Sequence, residues 1–304
     1  LFALEKAGVV IYPKPSTLAI IQDKLKQKEV YAAAGLAVPA YCAVETPDEV
    51  LKAAELYGYP LVLKARYGGY DGYGNATIRT PDDLPAAWEK LAKRETRGLM
   101  VEAFVPFARE LAVMVLRKAA ADADGETRAY PVVETVQQNH ICHIVRCPAP
   151  VSDAVQARAT ELATKAVELL DGVGVFGVEL FHLADDTVLL NEIAPRPHNS
   201  GHYTMEACVT SQFENHLRAV LGLPLGSTAL RAPAAVMVNL LGNRAGETDF
   251  AGIRAALAAE GVSVHLYGKR EVRPGRKMGH ITALGDDVEA TEKFVLQAAE
   301  SIAL

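Results

Sequence analysis

The sequence predicts a mixed α+β fold, and three observations predict it. Apolar residues recur with helical spacing in several stretches, including residues 16–34 and 152–170. Short apolar runs bounded by Gly and Pro, such as residues 59–66, have the length of strands. The chain has 304 residues, which is enough for two or more domains, and it contains no internal repeat.

The elements follow from local signals along the chain. Gly35 ends the helix at 16–34 and Gly58 ends a helix at 47–57, because glycine commonly follows a helix C-terminus. Further helices are predicted at 81–94, 152–170 and 204–221, and strands at 59–66, 98–105, 109–118, 128–136 and 140–146. Gly and Pro in residues 222–226 mark a boundary, after which a small unit of strands and helices is expected.

Composition excludes several classes of protein. Half of the residues are hydrophobic and the formal net charge is -6, which is typical of a soluble globular protein and argues against nucleic-acid or membrane-surface binding. No apolar run reaches transmembrane length, and the start does not resemble a signal peptide. The four cysteines lack zinc-site spacing, so reduced thiols in the cytoplasm are favoured over a metal site: Cys42, Cys142, Cys147 and Cys208.

Two apolar runs around Asp185-Asp186 predict a β-hairpin. If those two residues form the turn, Glu179 lies opposite Glu192, with the side chains roughly 5 Å apart. Facing carboxylates repel, so a divalent cation held by Glu179, Glu192 and the amide oxygen of Asn191 is one interpretation, and Mg²⁺ suits such oxygen ligands. The alternative is a slipped hairpin with one glutamate in solvent.

The loop at residues 191–204 follows this hairpin and is rich in polar side chains. Pro195 and Pro197 prevent a helix or a central strand, so the segment is predicted to be a rigid loop that presents Arg196, His198 and Asn199. Such loops on a scaffold commonly carry function.

Lys64 lies at a strand end and is followed by a glycine-rich turn at residues 68–75. Backbone N–H groups in such a turn can close over anionic oxygens, although it has neither the P-loop nor the Rossmann spacing. A plain hairpin connection is the alternative interpretation. Lys64 and the predicted carboxylate pair favour the anion-binding interpretation of the turn, because phosphates, lysine and magnesium occur together in phosphoryl transfer.

Two further segments carry candidate binding groups. Residues 102–110 are predicted to form an acidic strand–turn–strand. One interpretation is a hinge between two lobes that contacts a purine, with Glu110 at the ribose. The alternative is a strand–turn–strand without a binding role. Residues 267–280 concentrate five cations in a loop interrupted by Pro and Gly, which favours a phosphate site over an ordinary basic surface.

These motifs together resemble the ATP-grasp family, in which two α+β lobes clasp the nucleotide. The 68–75 turn, the 191–204 loop and the 269–280 segment are similar to those of the 5-(carboxyamino)imidazole ribonucleotide synthases of purine biosynthesis. The resemblance covers nearly the whole chain. It implies three domains. Residues 1–20 would be a remnant of an N-terminal nucleotide-fold domain, residues 21–225 an ATP-grasp domain with a small lobe at about 56–106, and residues 226–304 a C-terminal domain. The chain starts with Leu1 rather than Met, so a missing N-terminus is expected.

The resemblance implies ATP- and bicarbonate-dependent carboxylation of aminoimidazole ribonucleotide through carboxyphosphate, with ATP and Mg²⁺ as cofactors. It implies that the following residues bind the nucleotide: Lys24, Lys64, Gly69, Tyr70, Asp71, Gly72, Tyr73, Gly74, Asn75, Glu102, Ala103, Phe104, Val105, Glu110, Gln137, Asn191 and Glu192. Glu102 and Val105 are expected to contact adenine through backbone atoms. Glu179 and Glu192 are the implied metal ligands.

The same resemblance implies the remaining roles. Arg196, His198 and Asn199 are placed where bicarbonate and carboxyphosphate form. Tyr70 is placed at the imidazole, and Lys269 and Arg276 at the phosphate of the ribotide. A homodimer and handover of the product to a downstream mutase are the implied partnerships.

Two positions depart from the family pattern. Tyr73 stands where an arginine is usual, and Gln137 stands where a histidine is expected in the nucleotide site. Two alternatives therefore stay open: a formate-dependent glycinamide ribonucleotide transformylase-like ligase, and a catalytically impaired nucleotide-binding module.

Overall fold

The computed structural model describes residues 1–68, 74–93, 97–119, 125–249, 252–302 and 304. Within these ranges, the strands form a four-stranded sheet, a nine-stranded sheet and a two-stranded ribbon. The α+β class predicted from the sequence is confirmed. No helix in the described ranges is long and apolar enough to span a membrane.

Three short helices open the chain: α1 (Phe2–Lys6), α2 (Pro15–Gln22) and α3 (Lys24–Ala33). The single helix predicted at 16–34 is therefore wrong, because Asp23 interrupts it with an extended backbone and caps α3 by accepting from the N–H groups of Leu25 and Lys26. Asp23 also forms an ion pair with Arg66 and accepts a hydrogen bond from Tyr67 at 2.7 Å. The start of α3 is thus attached to the segment after Lys64.

The four-stranded sheet has the order β1-β4-β2-β3 and carries helices α4 and α5 on its apolar core. Its elements are β1 (Tyr41–Val44), α4 (Pro47–Tyr57), β2 (Leu61–Ala65), β3 (Asn75–Ile78), α5 (Leu84–Ala92) and β4 (Leu99–Ala103). Strand β1 joins this sheet upstream of residue 56. The helix predicted at 81–94 begins as a 3₁₀ turn at Pro81–Asp83 before α5.

The nine-stranded sheet has the order β10-β9-β5-β7-β8-β11-β15-β13, with β6 paired to β5. Its first strands are β5 (Phe107–Arg117), β6 (Thr127–Ala129), β7 (Val133–Gln138), β8 (Ile141–Cys147), β9 (Gly174–Leu183) and β10 (Val188–Ala194). The strand predicted at 128–136 is two strands, separated near Pro131, which lacks a backbone donor. Helix α6 (Asp153–Leu169) packs on one face of this sheet.

The other face of the sheet is covered by two helices where one was predicted at 204–221. Helix α7 (Thr204–Ala207) ends before Cys208, and Ser211 caps the second helix, α8 (Gln212–Val220), by accepting from the N–H of Glu214. Tyr203, Ala207 and Ala219 pack against strands β5 and β9 in this second core.

The C-terminal strands extend the same sheet. The remaining elements are β11 (Ala234–Leu241), β12 (Gly246–Glu247), α9 (Ile253–Leu257), β13 (Val262–Leu266), β14 (Glu271–Val272), β15 (Lys277–Gly285) and α10 (Val288–Glu300). Strand β11 pairs with both β8 and β15, so the sheet continues across the boundary predicted at residues 222–226.

The hairpin of β9 and β10 places Glu192 opposite Glu179, as predicted. The predicted two-residue turn is wrong, because three residues close the hairpin, with Asp186 in the left-handed region (φ 64°), and Val188 faces His182. A β-bulge at Asn191 then shifts the register by one residue. The longer turn and the bulge each shift the register by one residue in opposite directions, so Glu179 and Glu192 still face each other.

Candidate functional site

Three lysines and two glutamates meet between the two large sheets, and we call this set the lysine–glutamate cluster: Lys24, Lys28, Lys64, Glu102 and Glu192. Nζ of Lys24 lies 2.5 Å from Glu192, and Nζ of Lys64 lies 2.7 Å from Glu102. Burial alone would raise the pKa of Glu102, but Lys64 and Lys28 lower it, so the carboxylate is ionised.

Lys28 was not predicted from the sequence. It follows Lys24 by one helical turn, so both side chains leave the same face of α3, which is the signal that could have identified it. Its side chain is 2 % exposed, and burial lowers its pKa to about 8.

Glu179, Glu192 and Asn191 form an oxygen-rich group on the β9–β10 hairpin. Burial and the neighbouring charge of Glu192 raise the pKa of Glu179 to about 7, although its side chain is 42 % exposed. Among the described residues, no hydrogen-bond partner reaches the buried Oδ1 of Asn191. Two repelling carboxylates beside an unpartnered amide oxygen are the donor set that Mg²⁺ prefers, so these residues fit the metal predicted from the sequence.

His198 lies beside Glu179 and is held from several directions. Its Nε2 is 3.5 Å from Glu179, its Nδ1 is 2.8 Å from Oγ of Ser200, and its backbone N–H donates to Gln212. Burial lowers the pKa of His198 to about 3, so the imidazole is neutral. Arg196 is exposed and bonds the carbonyl of Pro197.

Gly177 is required for the position of His198. A Cβ at residue 177 would lie 2.5 Å from Cβ of His198, so Gly177→Ala is expected to destabilise the protein by about 1–3 kcal/mol. Urea unfolding would measure the loss. Adding His198→Gly removes the clashing atoms, so Gly177→Ala should destabilise the protein much less in that background. An equal loss in both backgrounds would contradict the assignment.

Asn199 is bound to the C-terminal part of the sheet. Its amide exchanges two hydrogen bonds of 2.8 Å with Asn239 on β11, and its proximity to Tyr267 opposes the rise that burial causes in the pKa of that hydroxyl. Asn239 is buried and its amide further donates to the carbonyl of Cys142. Asn239 was not predicted from the sequence, although a polar residue within the apolar run 234–241 was the available signal.

A group of aromatic and histidine side chains extends from Asn199 and was also not predicted. His265 and His280 face each other across β13 and β15, and their rings stack at 4.6 Å. His202 lies 5.2 Å from His280, and the hydroxyl of Tyr267 lies 2.9 Å from Nδ1 of His280. Burial lowers the pKa of His280 to about 3 and that of His202 to about 4, so these two imidazoles are neutral.

The strand predicted to bind adenine continues from Glu102. The N–H of Ala103 donates to the carbonyl of Ala40 at 2.9 Å, and the N–H of Phe104 donates to that of Pro60 at 3.3 Å. The carbonyl of Val105 accepts from the N–H of Phe107. The side chain of Glu102 lies in the lysine–glutamate cluster, a position that was not predicted from the sequence.

Glu110 and Gln137 come together on β5 and β7. Burial raises the pKa of Glu110, while a hydrogen bond with Gln137 opposes that shift. Gln137 therefore contacts the residue predicted to bind ribose, from the position where a histidine was expected.

The basic loop after β13 brings its cations beside the C-terminal strands. Nζ of Lys269 donates to the carbonyl of Lys277 and lies 5.4 Å from the ring centre of Tyr267. Arg276 donates to the carbonyl of Glu271 at 2.8 Å. Tyr267 joins this loop to Asn199.

Part of the glycine-rich turn lies outside the described residues, namely Gly69, Tyr70, Asp71, Gly72 and Tyr73. Gly74 accepts a hydrogen bond from the N–H of Ala65, and Asn75 pairs with Lys64 across β2 and β3. The described end of the turn therefore lies beside Lys64.

Comparison with known proteins gives two matching families. The ATP-grasp domain family matches residues 29–213, and the phosphoribosylaminoimidazole carboxylase C-terminal domain family matches residues 235–293.

Two curated relatives illustrate the similarity. The chain is 46% identical over 293 residues to phosphoribosylaminoimidazole carboxylase of Schizosaccharomyces pombe, covering 94% of this chain and 51% of that protein. It is 43% identical over 291 residues to N5-carboxyaminoimidazole ribonucleotide synthase of Synechococcus elongatus, covering 95% and 72%. The chain thus spans about half the length of the fungal carboxylase.

Solved structures of proteins with the same names are also similar to this chain. N5-carboxyaminoimidazole ribonucleotide synthetase of Thermotoga maritima has 44% identity and a TM-score of 0.86, over 99% of this chain and 77% of that one. N5-carboxyaminoimidazole synthase of Aspergillus clavatus, in complex with ADP and 5-aminoimidazole ribonucleotide, has 41% identity and a TM-score of 0.89, over 98% and 78%. The chain therefore belongs to the N5-carboxyaminoimidazole ribonucleotide synthase family of ATP-grasp proteins.

Proposed function

We propose that this protein is an ATP-dependent carbon–nitrogen ligase that carboxylates 5-aminoimidazole ribonucleotide in purine biosynthesis. One observation carries the proposal, a chain of contacts across the site. Glu192 of the lysine–glutamate cluster faces Glu179, and Glu179 lies 3.5 Å from His198. Asn199 follows His198 and lies near Tyr267, whose ring centre is 5.4 Å from Nζ of Lys269 in the basic loop. This order suits a nucleotide, a one-carbon acid and a phosphorylated acceptor. The bound ADP and ribotide of the Aspergillus clavatus relative support the same substrates.

The nucleotide is proposed to bind at the lysine–glutamate cluster and along the strands next to it. Lys24 and Lys64 bind the phosphates, and the 68–75 turn covers them, a role that rests on the family resemblance. The backbone of residues 102–105 receives adenine, and Glu110 with Gln137 receives the ribose. Positioning and charge neutralisation supply most of the rate acceleration in such a reaction.

Mg²⁺ is the proposed metal, held by Glu179, Glu192 and Asn191. When bound, it neutralises phosphate charge. As a metal ligand, Glu192 would no longer neutralise Lys24, and Lys24 would then be available to the phosphates. The unpartnered Asn191 oxygen and the mutual repulsion of the two glutamates support this assignment.

The chemistry proceeds in two balanced steps. A bicarbonate oxygen attacks the γ-phosphorus, the bond to the β-phosphate oxygen breaks, and ADP leaves with carboxyphosphate formed. The amine nitrogen of the ribotide then bonds to the carboxyl carbon, directly or as released carbon dioxide, while phosphate leaves and the amine loses a proton. Arg196, His198 and Asn199 orient bicarbonate and carboxyphosphate. Lys269 and Arg276 bind the phosphate of the ribotide, with Tyr70 at its imidazole.

The proposal extends to the setting of the enzyme. A homodimer and handover of the product to a mutase follow from the family resemblance. A cytoplasmic location follows from the four cysteines, which are unpaired thiols as in a reducing compartment. The proposed domain bounds remain 1–20, 21–225 and 226–304.

Phosphate release from ATP tests the proposal. With Mg²⁺ and bicarbonate, aminoimidazole ribonucleotide is expected to stimulate release, and omission of bicarbonate should remove the stimulation. Stimulation only by formate with glycinamide ribonucleotide would instead support the transformylase-like ligase. Nucleotide binding without turnover would support the impaired binding module, for which Tyr73 at the usual arginine position is the specific reason.

A further inference from the structure

Lys28 is the most buried cation of the lysine–glutamate cluster, and its hydrogen bonds are all to the protein. Its Nζ donates to the carbonyls of Leu190 at 3.2 Å and Asn191 at 2.8 Å, and lies 3.4 Å from Oε1 of Glu102. Two of the three donors of the ammonium therefore bond backbone carbonyls, while Glu102 is held by an ion pair, its Oε1 having no hydrogen-bond partner among the described residues. The two carbonyl bonds fix the position of Lys28 beside Glu102.

Lys64 is placed differently. Its Nζ pairs with the other oxygen of Glu102 at 2.7 Å, and its side chain is 11 % exposed next to the glycine-rich turn. Under the proposed function, the phosphates must compete with Glu102 for this ammonium. When Lys64 turns to a phosphate, the Glu102 side chain, which is 3 % exposed, needs another cation, because an unpaired buried carboxylate is strongly unfavourable.

We propose that Lys28 is a positioning residue that keeps Glu102 paired while Lys64 transfers to the nucleotide phosphates. Lys24, the remaining lysine of the cluster, is engaged by Glu192 on the other side. Lys28 thus lowers the free energy needed for the exchange of partners at Lys64. The inference rests on the proposed nucleotide site and assigns within it a residue that need not touch the nucleotide.

Lys28 has a second effect through its carbonyl bonds. Leu190 and Asn191 flank the β-bulge of β10, which carries Asn191 and Glu192. Glu102 lies on β4 of the other sheet. The Lys28 ammonium therefore joins strand β4, whose Glu102 pairs with Lys64, to strand β10, which carries the proposed metal ligands. It holds these two strands at a fixed separation.

Binding of Mg-ATP in excess Mg²⁺, measured by calorimetry, tests the exchange. Lys28→Met is expected to bind at least tenfold more weakly, about 1.4 kcal/mol, because Lys64 can then leave only by abandoning Glu102. Lys28→Met with Glu102→Gln should bind at least fivefold more tightly than Lys28→Met alone, since no carboxylate is left unpaired and the adenine contacts proposed for residue 102 are made by its backbone. Lys26→Met, which alters an exposed lysine on the same helix, should bind like the unmodified protein.

The outcomes separate this inference from the proposed function. If the unmodified protein fails to bind Mg-ATP, both are overturned. If it binds and Lys28→Met binds equally well, only the inference is overturned. Equal weakening in Lys28→Met and in the double variant would also overturn it, because the loss would then come from the carbonyl bonds rather than from Glu102.

A further variant decides the case in which Lys28→Met does not fold. Lys64→Met leaves Lys28 to pair with Glu102, so it should retain the circular dichroism spectrum of the unmodified protein and a cooperative unfolding transition. Loss of the fold in Lys64→Met would overturn the inference, because it would mean that Lys28 alone cannot hold Glu102.

Discussion

Replacing Glu192 with glutamine is expected to reduce Mg²⁺-dependent phosphate release by roughly two orders of magnitude or more, while the protein stays folded. Glutamine keeps the volume of the side chain but loses the charge that pairs with Lys24 and faces Glu179. The metal would lose an anionic ligand. Because the repulsion from Glu179 also disappears, the free energy of unfolding should change little.

The measurement is steady-state phosphate release against Mg²⁺ concentration, with urea unfolding of the same preparations. Glu161→Gln is the matched control, since Glu161 is an exposed glutamate on α6 that also pairs with a lysine, Lys165. Full activity in Glu192→Gln would refute the metal assignment. Loss of the fold would show that the Lys24–Glu192 pair is structural.

Replacing Arg276 with alanine is expected to raise the KM for the ribotide by roughly 10- to 100-fold, while the KM for ATP changes little. A charge-assisted hydrogen bond to phosphate contributes about 1.5–3 kcal/mol, which corresponds to that range. Arg276 bonds only a backbone carbonyl among the described residues, so its removal leaves no buried charge unpaired.

Initial rates with each substrate varied in turn would measure this effect. Arg231→Ala serves as the control, because the exposed Arg231 also bonds one backbone carbonyl, that of Val209, and precedes β11 at the end of that strand opposite to Lys277. Equal changes in both KM values would place Arg276 outside the ribotide site. An unchanged ribotide KM would leave Lys269 as the remaining candidate for the phosphate.

The sequence predicted the elements that depend on local signals. Glycine and proline punctuation placed the helix at 47–57 and the strand around Lys64 close to their observed bounds. It failed where a single capping residue interrupts a continuous helical pattern, as Asp23 does between α2 and α3. A cap acts through one hydrogen-bonded side chain, and apolar periodicity does not record it.

The Glu179–Glu192 pair was predicted for a reason that was only partly correct. The turn is one residue longer than predicted, and the bulge at Asn191 compensates. No local pattern in the hairpin revealed the bulge, and the contacts made there by the Lys28 ammonium come from a distant helix. Lys28 and Asn239 escaped prediction for the same reason, since their partners lie 163 and 40 residues away.

The sequence by itself determined the fold class, the family and the identity of the candidate ligands, because these depend on residue types at short, fixed spacings. Only the tertiary structure decided how the charges are distributed among them. It paired Lys64 with Glu102 and Lys24 with Glu192, and it gave Lys28 two backbone carbonyls as hydrogen-bond acceptors. A buried charge is stabilised by the few ångströms around it, and those surroundings come from segments that are distant in the chain.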